Sequence, residues 1–138
     1  MIRTVYVNGQ FVSEPEAKIS IFDRGFLFSD SVYEVTAVLG GKLIDWFYHV
    51  KRLERSLKHL NISPPLDGDT LLNLHRQLIK FNELNDGLIY MQVSRGSADR
   101  DFFIKDNLKA SIVIFSQKIN LLELGRLNRR LKVMTVPE

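Results

Sequence analysis

A chain of 138 residues that is 45% hydrophobic is long enough for one domain with a sizeable core, which excludes disordered and fibrous proteins. Its 19 Lys and Arg residues only slightly exceed its 16 Asp and Glu residues, and the charges are interspersed. This balance suits a small anionic ligand and does not by itself indicate nucleic acid. The chain has no cysteine, so disulfides, thiolate metal sites and cysteine nucleophiles are excluded.

The amino-terminal segment is typical of neither a signal peptide nor a membrane span. Arg3 and Asn8 interrupt it, and no run of about 18 apolar residues occurs. We therefore expect a cytoplasmic protein that does not enter a membrane. His49 and His59 lack carboxylate or histidine partners at a metal-binding spacing, so we interpret both as surface or boundary residues and predict no metal site.

Short strands and tight turns are predicted before residue 45. Two dipeptides that tolerate positive φ separate apolar, β-branched stretches and indicate hairpins. These dipeptides are Asn8-Gly9 and Gly40-Gly41, and the second follows a well-buried strand over residues 32–39. Between the hairpins, residues 19–22 alternate as another short strand that ends in the turn residues 23–25.

Two amphipathic helices are predicted between residues 45 and 81. Asp45 is placed to cap the first helix with its carboxylate, and residues 67–70 supply capping candidates for the second. Apolar side chains recur at steps of three and four along each helix. They are Trp46, Val50, Leu53, Leu57 and Leu60 in the first, and Leu71, Leu74, Leu78 and Phe81 in the second. His75, Arg76 and Lys80 are left to face water.

Residues 88–102 contain the strongest candidate site. Three apolar residues alternate with Tyr90, Gln92 and Ser94, as in a half-buried strand with a polar or aromatic second face. Arg95 and Arg100 follow at the strand end and in the next loop, where they could meet an anion. An ordinary strand with two solvated arginines is the alternative interpretation.

The predicted elements define an α+β fold. An antiparallel sheet of hairpins is covered on one face by the two amphipathic helices. Residues 110–115 add a strongly apolar strand, and residues 116–120 indicate a boundary. A basic segment with Arg126, Arg129, Arg130 and Lys132 then leads to residues 133–136, which begin another predicted strand.

The segment of residues 88–102 resembles the strand and loop of D-amino-acid aminotransferases, which are fold type IV enzymes that use pyridoxal phosphate. The resemblance implies that Arg100 binds the α-carboxylate of the substrate. Residues 23–34 resemble a second run of the family, and this implies that Tyr33 lines the substrate pocket. Tyr90 is a further candidate for substrate binding, because it shares a strand face with Gln92 and Ser94.

Arg52 lies in a segment that resembles the phosphate-binding helix of the same family. A planar guanidinium can grip two phosphate oxygens at once, so the resemblance implies that Arg52 binds the cofactor phosphate. By spacing alone, Arg52 would be a surface charge and Tyr33 a packing residue.

Three positions depart from the family pattern. Ser29 and Ser31 stand where the family usually has glycine on both sides of an aspartate, which affects either the loop shape or the activity. Phe102 stands where many D-amino-acid aminotransferases have a histidine. The substrate preference therefore does not follow from the resemblance.

The resemblance covers nearly the whole chain and implies the amino-terminal portion of a homodimeric enzyme that moves amino groups between D-amino acids, such as D-alanine, and 2-oxo acids. It divides the chain into an amino-terminal domain, residues 1–117, and a linker with the first strand of a truncated cofactor domain, residues 118–138. The family's Schiff-base lysine lies in a segment further on, and none of the nine lysines here lies in such a segment. We therefore predict that this chain has no catalytic residue of its own and is inactive alone.

Three other interpretations stay open. A sister enzyme of the fold, such as aminodeoxychorismate lyase or a branched-chain aminotransferase, would share Tyr33 and Arg52. A non-catalytic oligomerisation domain is suggested by Ser29, Ser31 and the truncated end. A nucleic-acid binder is suggested only by the basic segment that ends at Lys132 and by a pI near 9.3, without a recognisable motif.

Overall fold

The computed structural model describes residues 2–121, 123 and 133–136. Six strands and three α-helices follow one another in an α+β order, so the predicted fold class is confirmed. The elements are β1 (Thr4–Val7), β2 (Gln10–Ser13), a 3-10 turn (Glu14–Glu16), α1 (Arg24–Phe28), β3 (Ser31–Leu39), β4 (Lys42–Leu43), α2 (Trp46–His59), α3 (Gly68–Phe81), β5 (Gly87–Ser94) and β6 (Ser111–Lys118).

The six strands form one sheet in the order β2-β1-β6-β5-β3-β4, and every neighbouring pair is antiparallel. β5 lies at the centre and pairs along its whole length with β3 on one side and β6 on the other. By contrast, β4 pairs with β3 only at Val38 and Leu39. Within the described residues, the first part of β3, residues 31–36, therefore forms an open edge of the sheet, whereas the carbonyl oxygen of Ala37 accepts a hydrogen bond from the backbone of Ile44.

The core lies between one face of the sheet and the helices α2 and α3. Alternate residues of β5, namely Ile89, Met91 and Val93, are almost fully buried on this face. Two leucines of α2 and three of α3 belong to the same core cluster: Leu53, Leu57, Leu71, Leu74 and Leu78. The opposite face of the sheet carries Tyr33, Tyr90 and Phe115 and has no helix of eight or more residues packed on it among the described residues. The predicted cover of two amphipathic helices on one face is thus confirmed.

Both predicted hairpins are formed. Asn8 and Gly9 have φ values of 47° and 103°, and Gly40 and Gly41 have values of 55° and 70°. Two successive residues in the left-handed region match the twist of the strands that they join, which is why these dipeptides favour hairpins.

Three local predictions were wrong. Residues 19–22 form no strand; they bend across the open face of the sheet and leave Ile21 largely exposed. The predicted turn at residues 23–25 is the start of α1, whose first free N–H groups are capped when Asp23 Oδ1 accepts a hydrogen bond from Gly25. Asp45 does not cap α2 with its side chain, because its φ of 52° places it in the left-handed region.

His75 was also predicted wrongly, because it is fully buried against Trp46 and does not face water. Residues 133–136 are exposed and pair with no strand of the described chain, and the strand predicted to begin there stays a prediction. The basic segment from Arg126 to Lys132 lies outside the described residues. The boundary between residues 117 and 118 stays a prediction. Among the described helices, none combines the length and the apolar character needed to span a bilayer.

Candidate active site

An aromatic ladder runs across the open face of the sheet. The rings of Tyr33 and Tyr90 are stacked with centroids 5.5 Å apart, and those of Tyr90 and Phe115 are stacked at 4.9 Å. These residues lie on β3, β5 and β6, so the central strands set their spacing. The structure therefore brings together two of the predicted substrate-binding residues, Tyr33 and Tyr90.

The two tyrosines differ in what their hydroxyl groups do. The hydroxyl of Tyr90 donates a hydrogen bond to Gln92 Oε1 at 2.8 Å, and Gln92 Nε2 donates to Ser31 Oγ at 2.9 Å. Burial, together with the nearby Tyr33, raises the pKa of Tyr90. The side chain of Tyr33 is exposed, and its hydroxyl makes no hydrogen bond within the described residues. Tyr33 is thus the tyrosine available to a ligand.

Arg52 is held by a carboxylate that the sequence interpretation missed. Glu34 accepts hydrogen bonds from Arg52 Nε and Nη2, both at 2.7 Å, in a bidentate pair. His49 Nδ1 lies 2.7 Å from the same carboxylate, which makes His49 a partner of this pair instead of a plain surface residue. The side chain of Glu34 is 3% exposed and that of Arg52 is 56% exposed. The pair therefore joins a buried anchor to an exposed guanidinium.

The charges of this group are well compensated. Burial alone would raise the pKa of Glu34, but the hydrogen bonds from Arg52 and His49 outweigh it and hold the pKa below its ordinary value. Glu34 in turn raises the pKa of Arg52, and Tyr33 adds a smaller effect in the same direction. Tyr33 and Glu34 are neighbours on β3, so their side chains lie on opposite faces of the sheet. Arg52, bound to Glu34, and the exposed Tyr33 therefore flank the same edge of the sheet from its two faces.

Arg100 lies in the loop after β5, on a small aromatic base. Its guanidinium stacks 5.4 Å from the ring centre of Phe28 and 5.2 Å from that of Phe102. It makes no side-chain hydrogen bond within the described part of the chain. No aromatic contact or hydrogen bond there joins Arg100 to Tyr33 or Tyr90, so the predicted substrate-binding residues form two groups.

Arg95 does not serve as an anion receptor at the strand end. Its guanidinium makes a bidentate pair with Asp30 at 2.7 and 2.9 Å and donates to the carbonyl oxygens of Leu60 and Asn61. Arg24 also binds Asp30, at 2.8 Å. Burial opposes the charge of Asp30, but the two arginines together lower its pKa. Arg95 is therefore structural, and its donors are engaged.

The loop that carries Arg100 is tied to this structural cluster. Arg24 is buried and donates a hydrogen bond from Nη1 to the carbonyl oxygen of Asp101 at 2.8 Å. Its backbone N–H bonds the carbonyl of Gly96 at 2.8 Å. Sequence reasoning missed Arg24 and Asp30, because the bonds from Arg24 and Arg95 to Asp30 join separate elements and are visible only in the fold.

A cavity of about 440 Å³ adjoins Tyr90 on the open face. Its walls include Ile19, Phe26, Gln92, Val113 and Phe115, so it is mostly apolar. The bend that replaces the predicted strand at residues 19–22 forms one side of it. Within the described ranges, no three His, Asp or Glu side chains converge as a metal site would require.

The antiparallel sheet and its two covering helices form the fold of the small domain of fold type IV aminotransferases. A family model described as amino-transferase class IV matches residues 31–135. The chain therefore belongs to this family, whose members include the pyridoxal-phosphate-dependent aminotransferases.

Relatives with named activities are similar to this chain, but their names do not agree on one substrate. The chain is 35% identical over 114 residues to a D-alanine aminotransferase of Staphylococcus aureus (strain MSSA476), covering 82% of this chain and 40% of that enzyme. It is 33% identical over 119 residues to an aminodeoxychorismate lyase of Bacillus subtilis (strain 168), covering 83% of this chain and 40% of that enzyme. The chain thus spans well under half the length of the relatives that it matches.

Solved structures support the same fold. The branched-chain amino acid aminotransferase from Escherichia coli superposes with a TM-score of 0.80 at 19% identity, over 86% of this chain and 42% of that one. A second branched-chain amino acid aminotransferase, solved with pyridoxamine 5′-phosphate, has a TM-score of 0.79 at 20% identity, over 87% of this chain and 41% of that one. At these identities the matches show the fold alone. The resemblance to fold type IV aminotransferases is therefore confirmed, whereas the roles of Tyr33, Tyr90, Arg52 and Arg100 stay predictions.

Proposed function

We propose that this chain is the amino-terminal portion of a pyridoxal-phosphate-dependent aminotransferase that moves amino groups between D-amino acids of the D-alanine type and 2-oxo acids. The observation that carries the proposal is the exposed guanidinium of Arg52, anchored on buried Glu34 beside Tyr33. The 35% identity to a D-alanine aminotransferase supports the choice of substrate class.

The residues present fit a phosphate-bearing cofactor. Arg52 Nη1 makes no hydrogen bond within the described residues, and more than half of the side chain is exposed. Arg52 would hold the phosphate, and Tyr33 would line the pocket beside it. When bound, pyridoxal phosphate supplies an electron-withdrawing ring that carries the amino group between the substrates.

Arg100 would bind the α-carboxylate of the substrate. Its stacking on Phe28 and Phe102 supports the flat guanidinium and leaves its N–H donors free for two carboxylate oxygens. Phe102 offers no donor, so Arg100 would bind this carboxylate without help from that position. Tyr90, whose hydroxyl is engaged by Gln92, would contribute its ring as a wall of the pocket.

The 138-residue chain would not transaminate alone. Transamination needs a lysine amine that binds the cofactor and moves a proton at the substrate α-carbon. None of the nine lysines lies in a segment like that of the family. We further propose that the active protein is a homodimer in the cytoplasm. Size-exclusion chromatography with light scattering would test the dimer.

A sister activity is the second candidate. The aminodeoxychorismate lyase match is nearly as strong, with 33% identity over 83% of the chain. Such an enzyme would bind the cofactor phosphate through the same arginine, Arg52, and would differ in the substrate that reaches the pocket.

A substrate panel on the protein purified from its native source distinguishes the two candidates. Each assay contains pyridoxal phosphate and either aminodeoxychorismate or one amino donor with 2-oxoglutarate. We expect D-alanine to be the preferred donor and L-alanine and branched-chain L-amino acids to be poor ones. Turnover of aminodeoxychorismate without amino transfer from D-alanine would replace the proposal with the lyase.

A further inference from the structure

We propose that Glu34 and His49 are positioning residues for phosphate recognition, because they fix the guanidinium of Arg52 along one edge and present its other edge to a phosphate ester. The inference rests on the proposed function, and it assigns roles to two residues that the family resemblance did not single out.

The N–H donors of the Arg52 guanidinium lie along two different edges of the planar group. A guanidinium has five N–H groups, one on Nε and two on each terminal nitrogen. Glu34 takes the Nε–H and one hydrogen of Nη2 at 2.7 Å each. The edge formed by Nη1 and the second hydrogen of Nη2 stays free, and its two parallel N–H bonds suit two phosphate oxygens. A single arginine can therefore bridge a buried carboxylate and a phosphate.

The burial of Glu34 supports a positioning role. Taking a carboxylate out of water is unfavourable, and a buried ion pair can often be replaced by apolar side chains without loss of stability. Here the carboxylate is 3% exposed, whereas its partner Arg52 is 56% exposed. This arrangement does little for the core, but it fixes the direction of a long side chain that would otherwise sample many rotamers.

His49 restricts the carboxylate itself. A carboxylate only accepts hydrogen bonds, so the 2.7 Å contact means that His49 donates from Nδ1 to Oε2. The same oxygen accepts from Arg52 Nη2. His49 and Arg52 lie three positions apart on α2 and therefore on one helix face. Rotation of the Glu34 carboxylate would break both bonds at once.

The resemblance implies weak cofactor binding by the 138-residue chain alone, so the test measures binding of pyridoxamine 5′-phosphate and of pyridoxamine by calorimetry to the cofactor-free protein purified from its native source, with each substitution introduced. The ratio of the two dissociation constants isolates recognition of the phosphate. Glu34→Gln and His49→Ala are expected to reduce this ratio about tenfold, close to the effect of Arg52→Ala. Arg55→Ala is the matched control, because Arg55 is an exposed arginine of the same helix without an ion pair in the described part of the chain.

A second readout does not depend on the ligand or on Glu34→Gln folding well. The ¹⁵N relaxation of Arg52 Nε in the free chain reports how rigidly the side chain is held. We expect backbone-like order in the wild type and in His49→Asn, whose amide keeps a donor near the position of Nδ1. We expect that order to fall in His49→Ala, with both variants retaining the wild-type circular dichroism spectrum.

The outcomes separate the inference from the proposed function. If Arg52→Ala loses the preference for phosphate while Glu34→Gln and His49→Ala keep it with an ordered Arg52, the positioning role is wrong and the phosphate role of Arg52 stands. If the wild type shows no preference, or Arg52→Ala keeps it, the phosphate role of Arg52 itself is overturned.

Discussion

Among the described residues, His75 is the most deeply buried titratable residue that the candidate site does not use. It is fully buried, and its Nδ1 donates to the carbonyl oxygen of Leu71 at 2.7 Å. Its Nε2 has no protein partner within the described residues, so a proton added there would place an uncompensated charge in the core. Burial accordingly lowers the pKa of His75 from 6.5 to about 4.

The stability of the chain should therefore fall as the pH is lowered. Below pH 6.5 the unfolded state takes up a proton at His75 that the folded state refuses, so stability is lost progressively down to pH of about 4. The total loss is about 3 kcal/mol. Urea unfolding at several pH values should show a smaller loss in His75→Leu. The exposed His59 is the control, and a His59→Gln chain that flattens the profile equally would contradict the assignment.

The contribution of Phe102 to substrate binding can be measured by substitution. It packs against Phe28, with ring centres 5.8 Å apart, and supports Arg100. Phe102→His would add an N–H donor near the proposed carboxylate site, so KM for D-alanine should fall several-fold with little change in kcat. The assay uses the native-source protein with each substitution introduced. Phe103→His is the control, because Phe103 is similarly exposed but has no aromatic contact with Phe28 or Arg100 within the described residues; an equal effect there would remove Phe102 from the site.

The backbone is closely packed at the point where the chain leaves β5. Gly96 has a φ of 104°, and a Cβ added there would lie 2.0 Å from the carbonyl oxygen of Lys109. Its own carbonyl bonds the backbone of Arg24. The contact joins the end of β5, the start of α1 and the segment before β6, so it shapes the loop that carries Arg100.

Gly96→Ala should therefore destabilise the chain more than a substitution at an unobstructed turn. We expect a loss of about 3 kcal/mol or more in the free energy of unfolding, from strain and displaced backbone together. Gly40→Ala shares a positive φ of 55° but meets nothing within 4 Å, so its loss should be about 1 kcal/mol. Equal losses in urea unfolding would contradict the close packing at Gly96.

The strands and helices with a local pattern were predictable, and those that depend on distant partners were not. The strands at residues 32–39 and around Tyr90 could be predicted, because their patterns of apolar residues are visible in the sequence itself. Residues 19–22 alternate as well, but in the structure they pair with no strand of the described chain and stay exposed, with only Ile19 reaching the cavity on the open face. Likewise, the stripe on α3 identified Leu71, Leu74 and Leu78, whereas the burial of His75 depends on how α3 meets Trp46.

The candidate site was predictable only through resemblance to the family. From its spacing alone, Arg52 was predicted to be a surface charge. No pattern in the sequence near these residues indicates that Glu34 on β3 contacts Arg52 and His49 on α2. The same holds for Arg95, which was interpreted as an anion receptor and is instead paired with Asp30. Ion pairs between separate elements form only once the fold sets their distance.

For the whole molecule, the proposed function assigns phosphate binding to Arg52 and carboxylate binding to Arg100, and it requires a further lysine to bind the cofactor. The purified 138-residue chain should show no turnover with D-alanine, 2-oxoglutarate and pyridoxal phosphate, because no lysine lies in a matching segment. A coupled assay for pyruvate measures this directly. Sustained pyruvate formation by the chain alone would contradict the proposed need for a further lysine.

The most direct test of the central claim is the intact mass of the protein purified from its native source. The chain accounts for 16.0 kDa and for 40% of the length of its D-alanine aminotransferase relative. The proposed function requires a mass well above 16.0 kDa, because the lysine-bearing part must be included. A mass of 16.0 kDa would contradict it and would favour a non-catalytic oligomerisation domain.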